Sequence, residues 1–230
     1  MTDSPTSAEH ELDAADPSAY ATPPLSDDQE WDERYSSGDQ VWSGEPNGAL
    51  MAEVQYLQPG RALDVGCGEG ADAIWLASVG WQVTALDVSK VALRRASTAA
   101  TKSRIQVRWM HTGLLEAQLH PGAFDLVSAQ YPALRRTPTQ AAERALMDAV
   151  APEGLLLVVH HADVDAEVAK SHGFDPADYV NPGDVAALLG EDWQIALDER
   201  RPRSVRTGAG AHHTHDVVLH ARRVGSAIIN

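Results

Sequence analysis

The stretch Leu63 to Ala77, LDVGCGEGADAIWLA, packs the glycines Gly66, Gly68 and Gly70 among the acids Asp64, Glu69 and Asp72. A short apolar run precedes the glycines and an amphipathic run follows them, so they read as a turn from strand to helix. Glycines there let the backbone approach a ligand closely. A dinucleotide turn uses G-x-G-x-x-G and seats a diphosphate on the helix N-terminus. Here the spacing is G-x-G-x-G, with Asp64 and Glu69 beside it. Two like charges ~4 Å apart at an effective dielectric near 20 repel by roughly 4 kcal/mol, so a diphosphate is disfavoured. The turn suits a cationic ligand without phosphate.

S-adenosylmethionine has that chemistry: an ammonium, a sulfonium, an adenosine and no phosphate. Asp87, in ALDVS, ends the next strand and is placed to accept both ribose hydroxyls. Dinucleotide folds also put an acid there, so the discrimination rests on the glycine spacing and the acids of the turn. Cys67 is the single cysteine, which rules out an intrachain disulfide and fits a reducing cytoplasm. Its place among the glycines explains it as a small residue of the turn.

The elements that must hold these residues alternate. RALDV, WQVTALD, RIQVRWM (104–110), AFDLVSA, LLLVVH (155–160), WQIALDER and HDVVLHARR read as seven strands. Helical spacing runs from Gly70 to Val79, from a Ser89 cap to about Ala100, and from Thr137 to Val150, with APEG as a turn before the fifth strand. Asn181-Pro182 starts a short helix that Gly190 stops. This order implies an α/β fold: a doubly wound, mostly parallel seven-stranded sheet with an antiparallel last strand. Ligands of such sheets bind beyond the carboxyl ends of the strands.

The chain has 230 residues and a net charge of -15, with ten of its acids and no Lys or Arg in residues 1–33. Residues 1–25, rich in Ser, Thr, Pro and Ala, are expected to be a disordered acidic tail. Residues 26–58 are expected to form a helical lid, 59–224 the cofactor-binding domain and 225–230 a C-terminal tail. The mildly acidic remainder argues against a nucleic-acid surface, and no apolar run approaches the ~18 residues of a membrane helix. The N-terminus lacks the basic start and apolar centre of a secretory signal, so the expected location is cytoplasmic.

LDVGCGEG resembles the first motif of the class I S-adenosylmethionine-dependent methyltransferases, and ALDVS resembles the second. The resemblance implies a Rossmann-like methyltransferase fold. It also implies cofactor contacts from Trp42, Asp64, Gly66, Cys67, Gly68, Asp87, Val88, Gly113, Leu114 and Gln130. The lead-in WDERYSSGDQVWSGEPN is similar to the thiopurine S-methyltransferase and tellurite-resistance branch, in which an aromatic segment covers the cofactor. That likeness makes Trp31, Tyr35 and Trp42 candidates for the cover, with simple packing as the alternative, favoured for Trp31. One departure is visible: Thr112 and Gly113 stand where the family often has an acid for the adenine amine.

The acceptor pocket is expected at the ends of the fourth and fifth strands. Tyr131 and His160 are candidate acceptor contacts there, and His160 or His161 a candidate general base, since an imidazole titrates near 6.5. Adjacent strand residues face opposite ways, so one of the two faces the substrate. His213 and His215 are expected on one strand face, where a metal could bind, but no metal site is assigned. The reading is methyl transfer to a small-molecule acceptor, sulfur slightly preferred. The alternatives are an O- or N-methyltransferase, and a regulatory domain that binds the cofactor without turnover. The sequence does not define an oligomeric state.

Overall fold

A computed structural model describes residues 26–171, 174–203, 207, 208 and 210–225. The expected tails at 1–25 and 226–230 lie outside the described residues. The strands are β1 (Arg61–Val65), β2 (Gln82–Asp87), β3 (Arg108–His111), β4 (Phe124–Gln130), β5 (Val150–His161), β6 (Trp193–Pro202) and β7 (His215–Arg223). They form one sheet in the order β3-β2-β1-β4-β5-β7-β6. Pairings from β3 through β5 are parallel, and β7 lies antiparallel between β5 and β6. The strand order therefore reverses between β1 and β4, and the turn after β1 sits at that switch.

The helices are α1 (Asp27–Ser36), α2 (Gly48–Val54), α3 (Ala71–Ser78), α4 (Lys90–Ser103), α5 (Ala141–Ala149), α6 (Ala166–Ser171) and α7 (Pro182–Ala186). Successive strand residues feed opposite faces. Leu156 and Val158 of β5 pack in the layer with Leu146 of α5 and Val185 of α7. Leu155, Leu157 and Val159 pack in the other layer with Leu50 and Val54 of α2 and Leu76 of α3. Both faces are covered, which is why these strands read as nearly continuous apolar runs.

Four expectations need correction. The third strand starts at Arg108 rather than Arg104, because Arg104 takes a left-handed conformation (φ 58°) and Ile105 N–H bonds to the Ala100 carbonyl, closing the end of α4. The fifth helix begins at Ala141, since Thr137 Oγ1 accepts the Ala141 N–H at 3.1 Å and Gln140 is left-handed. APEG is not a turn between elements: it lies inside β5, where Glu153 takes φ 65° and the register against β4 shifts between Phe124 and Leu126. Between β5 and α7 the chain adds α6 and a 3₁₀ turn at Pro176–Asp178, neither of which shows clear periodicity. The expected Asn181 cap of α7 is present, its Oδ1 accepting N–H groups from Gly183 and Asp184.

The junction of turn and helix is tight. Gly70 caps α3 with φ 83°, and a Cβ there would lie 2.7 Å from Ala96 Cβ and 2.8 Å from the Trp109 ring. Gly70→Ala combines a left-handed strain of roughly 1–2 kcal/mol with an overpacking cost of the order of 1–3 kcal/mol. Urea unfolding should show a loss of about 2–5 kcal/mol; an unchanged midpoint would contradict the packing described for Gly70.

Candidate functional site

The glycine turn is stitched to the end of β2. Gly66 and Cys67 N–H groups both donate to the Leu86 carbonyl, at 2.9 and 3.0 Å. Asp87, 7% exposed, accepts the Gly68 N–H on Oδ2 and the Ser89 N–H on Oδ1, each at 2.8 Å. Burial raises its carboxyl above the ordinary value, and those two bonds oppose the rise. Asp64 ends up differently. It is 2% exposed, and its Oδ2 has no hydrogen-bond partner. Burial, then the nearby Asp72 and Asp87 carboxylates, push it well above the usual carboxylate range. Burial also raises the Cys67 thiol, which opposes a thiolate nucleophile there.

The other two acids of the turn are taken up by protein partners. Glu69 accepts the Val41 N–H at 3.2 Å and the Trp42 N–H at 3.0 Å, and pairs with Arg95 at 2.8 Å. Arg95 also donates to the carbonyls of Tyr35 and Gly38. Asp72 accepts both the backbone and side-chain N–H groups of Asn47 at 2.7 Å. Asp32 of α1 accepts Ser89 Oγ–H and Val91 N–H at the start of α4. The N-terminal segment is thereby strapped over the turn. Trp42 Nε1–H donates to Tyr35 Oη at 2.8 Å, and both groups stand above Gly68, where a Cβ would lie 2.7 Å from Tyr35 Oη. Tyr35 is buried, while Trp31 is partly buried with its ring 5.9 Å from that of Tyr35.

Beyond β2, the Val88 carbonyl accepts from His111 Nε2 at 2.9 Å, and Val88 Cγ1 lies 3.6 Å from where a Gly113 Cβ would be. Leu114 is buried beside them. The Glu116 carboxylate folds back onto Gly113. Sequence reading missed it because it stands three residues beyond the expected acid, and a turn brings it back.

The ends of β4 and β5, where acceptor contacts are expected, are densely packed. Gln130 is buried, its Nε2 bonded to Ser128 Oγ at 3.0 Å and its Oε1 unpartnered. Tyr131 takes φ 52° and donates its Oη to Asp216 at 2.9 Å. His160 and His161 do face different surroundings. His160 Nε2 bonds the Pro132 carbonyl at 3.1 Å, whereas the His161 ring stacks on Tyr131 at 4.3 Å and on His213 at 3.9 Å. Burial lowers the titration of both. It lowers His213 to about 4 as well, helped by His161 and His212. A cavity of about 240 Å³ borders His160 and His161, walled by Phe174, Tyr179, Val180 and Pro182. His213 and His215 do not share a strand face: β7 begins at His215, whose Nδ1 lies 3.2 Å from Asp163, while His213 sits in the turn before it. No group of metal-binding side chains forms among the described residues.

Residues 62–154 match a methyltransferase-domain family model. An uncharacterized methyltransferase of Mycobacterium tuberculosis is 35% identical over 122 residues, covering 53% of this chain and 61% of that one. The chain thus spans about three fifths of the length of the curated relatives it matches first. A structure described for the conversion of a disulfide bond into a thioacetal group during echinomycin biosynthesis superposes with TM-score 0.68 at 22% identity, covering 87% of this chain and 94% of that one. An N-methyltransferase of Bradyrhizobium japonicum, solved with S-adenosyl-L-homocysteine, superposes with TM-score 0.61 at 22% identity, covering 84% and 97%. At that identity the two structures establish the fold. Residues 62–154 accordingly match a methyltransferase domain, on the Rossmann-like fold shared with solved methyltransferase structures.

Proposed function

We propose that this chain transfers the methyl of S-adenosylmethionine to a small molecule held across the ends of β4, β5 and β7. The observation that carries the reading is Asp64, a buried carboxylate with one oxygen free at the bend formed by Gly66 and Gly68. A buried carboxyl with no protein partner ionises readily only beside a cation, and the ammonium of the cofactor supplies one. When bound, the cofactor offers an electrophilic methyl on a sulfonium that leaves as a neutral thioether. The chain's part is alignment and exclusion of water.

In this proposal Asp87 takes the ribose hydroxyls. Gly66, Cys67 and Gly68 line the methionine end, and Gln130 closes it from β4. Val88, Gly113 and Leu114 border the adenine, with Glu116 in the role of the missing acid. Trp42 and the segment 26–58 form the cover over the domain 59–224. Tyr131 and His160 line the acceptor side. Sulfur as the accepting atom draws support from the likeness of the N-terminal segment to the thiopurine and tellurite branch. Nitrogen and oxygen draw support from the imidazoles at the edge, which suit an acceptor that must lose a proton. The single, partly buried thiol is in keeping with a reducing cytoplasm, and no described helix is long and apolar enough to cross a membrane.

Calorimetry with S-adenosylmethionine and S-adenosylhomocysteine tests the cofactor site. Asp87→Ala removes hydrogen bonds to a charged group, worth about 1.5–3 kcal/mol, so affinity should fall by roughly 10- to 100-fold. Wild-type affinity in that variant would remove Asp87 from the site. Binding should also depend on pH with a definite sign. Asp64 titrates above its ordinary 3.8 in the free protein, and a cation beside it favours the ionised form. Binding therefore releases protons at pH values below the elevated Asp64 titration, and affinity rises with pH up to that titration, then levels off. Titrations in buffers of different ionisation enthalpy read the released protons directly; proton uptake would oppose the placement of the ammonium at Asp64. Finally, labelled methyl should appear on at least one member of a panel of small thiols, amines and hydroxyl compounds. Tight cofactor binding with no transfer across a wide panel would favour a regulatory domain instead.

A further inference from the structure

We infer that Asp216 is a positioning residue that fixes His161 as the base receiving the acceptor's proton, an inference that rests on the methyl-transfer reading above. Asp216 comes from β7 and is 4% exposed. Its Oδ2 accepts from Tyr131 Oη at 2.9 Å. Its Oδ1 faces His161 Nδ1 at 3.5 Å and Arg203 Nε at 3.6 Å. All three facing atoms are buried and lack a hydrogen-bond partner, as does Gln130 Oε1 at the same edge. Shifts of a few tenths of an ångström join them, and no other described group satisfies them.

The chemistry of that arrangement fixes a tautomer. A carboxylate accepts, so the His161 proton sits on Nδ1 and the lone pair on Nε2. Arg203 balances the buried charge, and its guanidinium lies 5.0 Å over the Tyr131 ring. Stacking between Tyr131 and His213 leaves the imidazole little freedom to rotate. Tyr131 holds its place through a left-handed backbone at φ 52°, a conformation that needs surrounding support, which the Asp216 bond and a Tyr131 N–H bond to Val159 supply. His161 Nε2 has no hydrogen bond among the described residues, and it points at Gly210, where a Cβ would come within 3.3 Å. His161 also borders the acceptor cavity. His160 differs in that its Nε2 is engaged by the Pro132 carbonyl.

The step balances simply. The proton of the acceptor's X–H group passes to Nε2, its bonding pair stays on the acceptor and forms the bond to methyl, and the methyl–sulfur pair remains on the departing sulfur. Imidazolium charge then forms next to Asp216, which stabilises it. The acceptor class is a small molecule whose thiol or hydroxyl is protonated at neutral pH.

Nitrogen-detected imidazole NMR of the full chain tests this without an acceptor. The charged and titratable groups facing His161 are Asp216, Arg203, Tyr131, His160, His212 and His213. At neutral pH wild-type His161 should appear as the Nδ1–H tautomer with a bare Nε2. In Asp216→Asn its titration should move to lower pH by about one unit, a tenfold change, because the anion that favours the imidazolium is gone. A resting Nε2–H tautomer in the wild type overturns the inference, and so does an unchanged His161 titration in Asp216→Asn. The wild-type tautomer decides the matter even if the variant fails to fold. Calorimetry with S-adenosylhomocysteine on the wild type is read separately: no binding there would defeat the methyl-transfer reading, whatever His161 shows.

Discussion

Buried carboxylate charge is the constraint around which this site is organised. An ionised carboxylate taken from water needs a partner or it shifts its titration. Four acids lie in or beside one turn, and each meets that demand differently. Glu69 is paired with Arg95 and two backbone N–H groups. Asp72 is bonded twice by Asn47. Asp87 takes N–H groups from the two turns it joins. Asp64 alone keeps an oxygen without a protein partner. The turn therefore spends two of its acids on holding the N-terminal segment and leaves one Asp64 oxygen without a protein partner.

The N-terminal segment and the edge around Tyr131 use the same device from opposite ends of the chain. Glu69, Asp72 and Asp32 fasten α1 and the loop after it, segments with few buried apolar side chains of their own. Their attachment is polar and partly solvated, which places them among the elements that open at low cost. At the other end, Asp216 gathers Tyr131, His161 and Arg203 from three separate connections of the sheet. A charge buried without these partners would cost several kcal/mol, so the hub and its spokes stand or fall together.

Local pattern carried most of the fold. The apolar runs of β1, β4 and β5, the Ser89 and Asn181 caps and the glycine turn follow from short-range rules about burial and hydrogen bonding, and their positions in the structure agree with those rules. Errors arose where a residue took an unusual backbone conformation that its type does not announce. Arg104, Gln140 and Glu153 are all left-handed without being glycine, and each displaced an element boundary.

The sequence by itself determined that a glycine turn with acids beside it lies at the carboxyl edge of a parallel sheet, because strand–turn–helix chemistry is written in neighbouring residues. Which acids of the turn find protein partners was decided by tertiary structure, since Asn47 and Arg95 reach Asp72 and Glu69 only after the N-terminal segment folds back. The same holds for the edge around Tyr131. His161 and Asp216 are far apart in the chain, and they meet because β7 inserts between β5 and β6, setting His161 opposite Asp216 in register. Strand order is a property of how whole layers bury their faces, and no local pattern of residues encodes it.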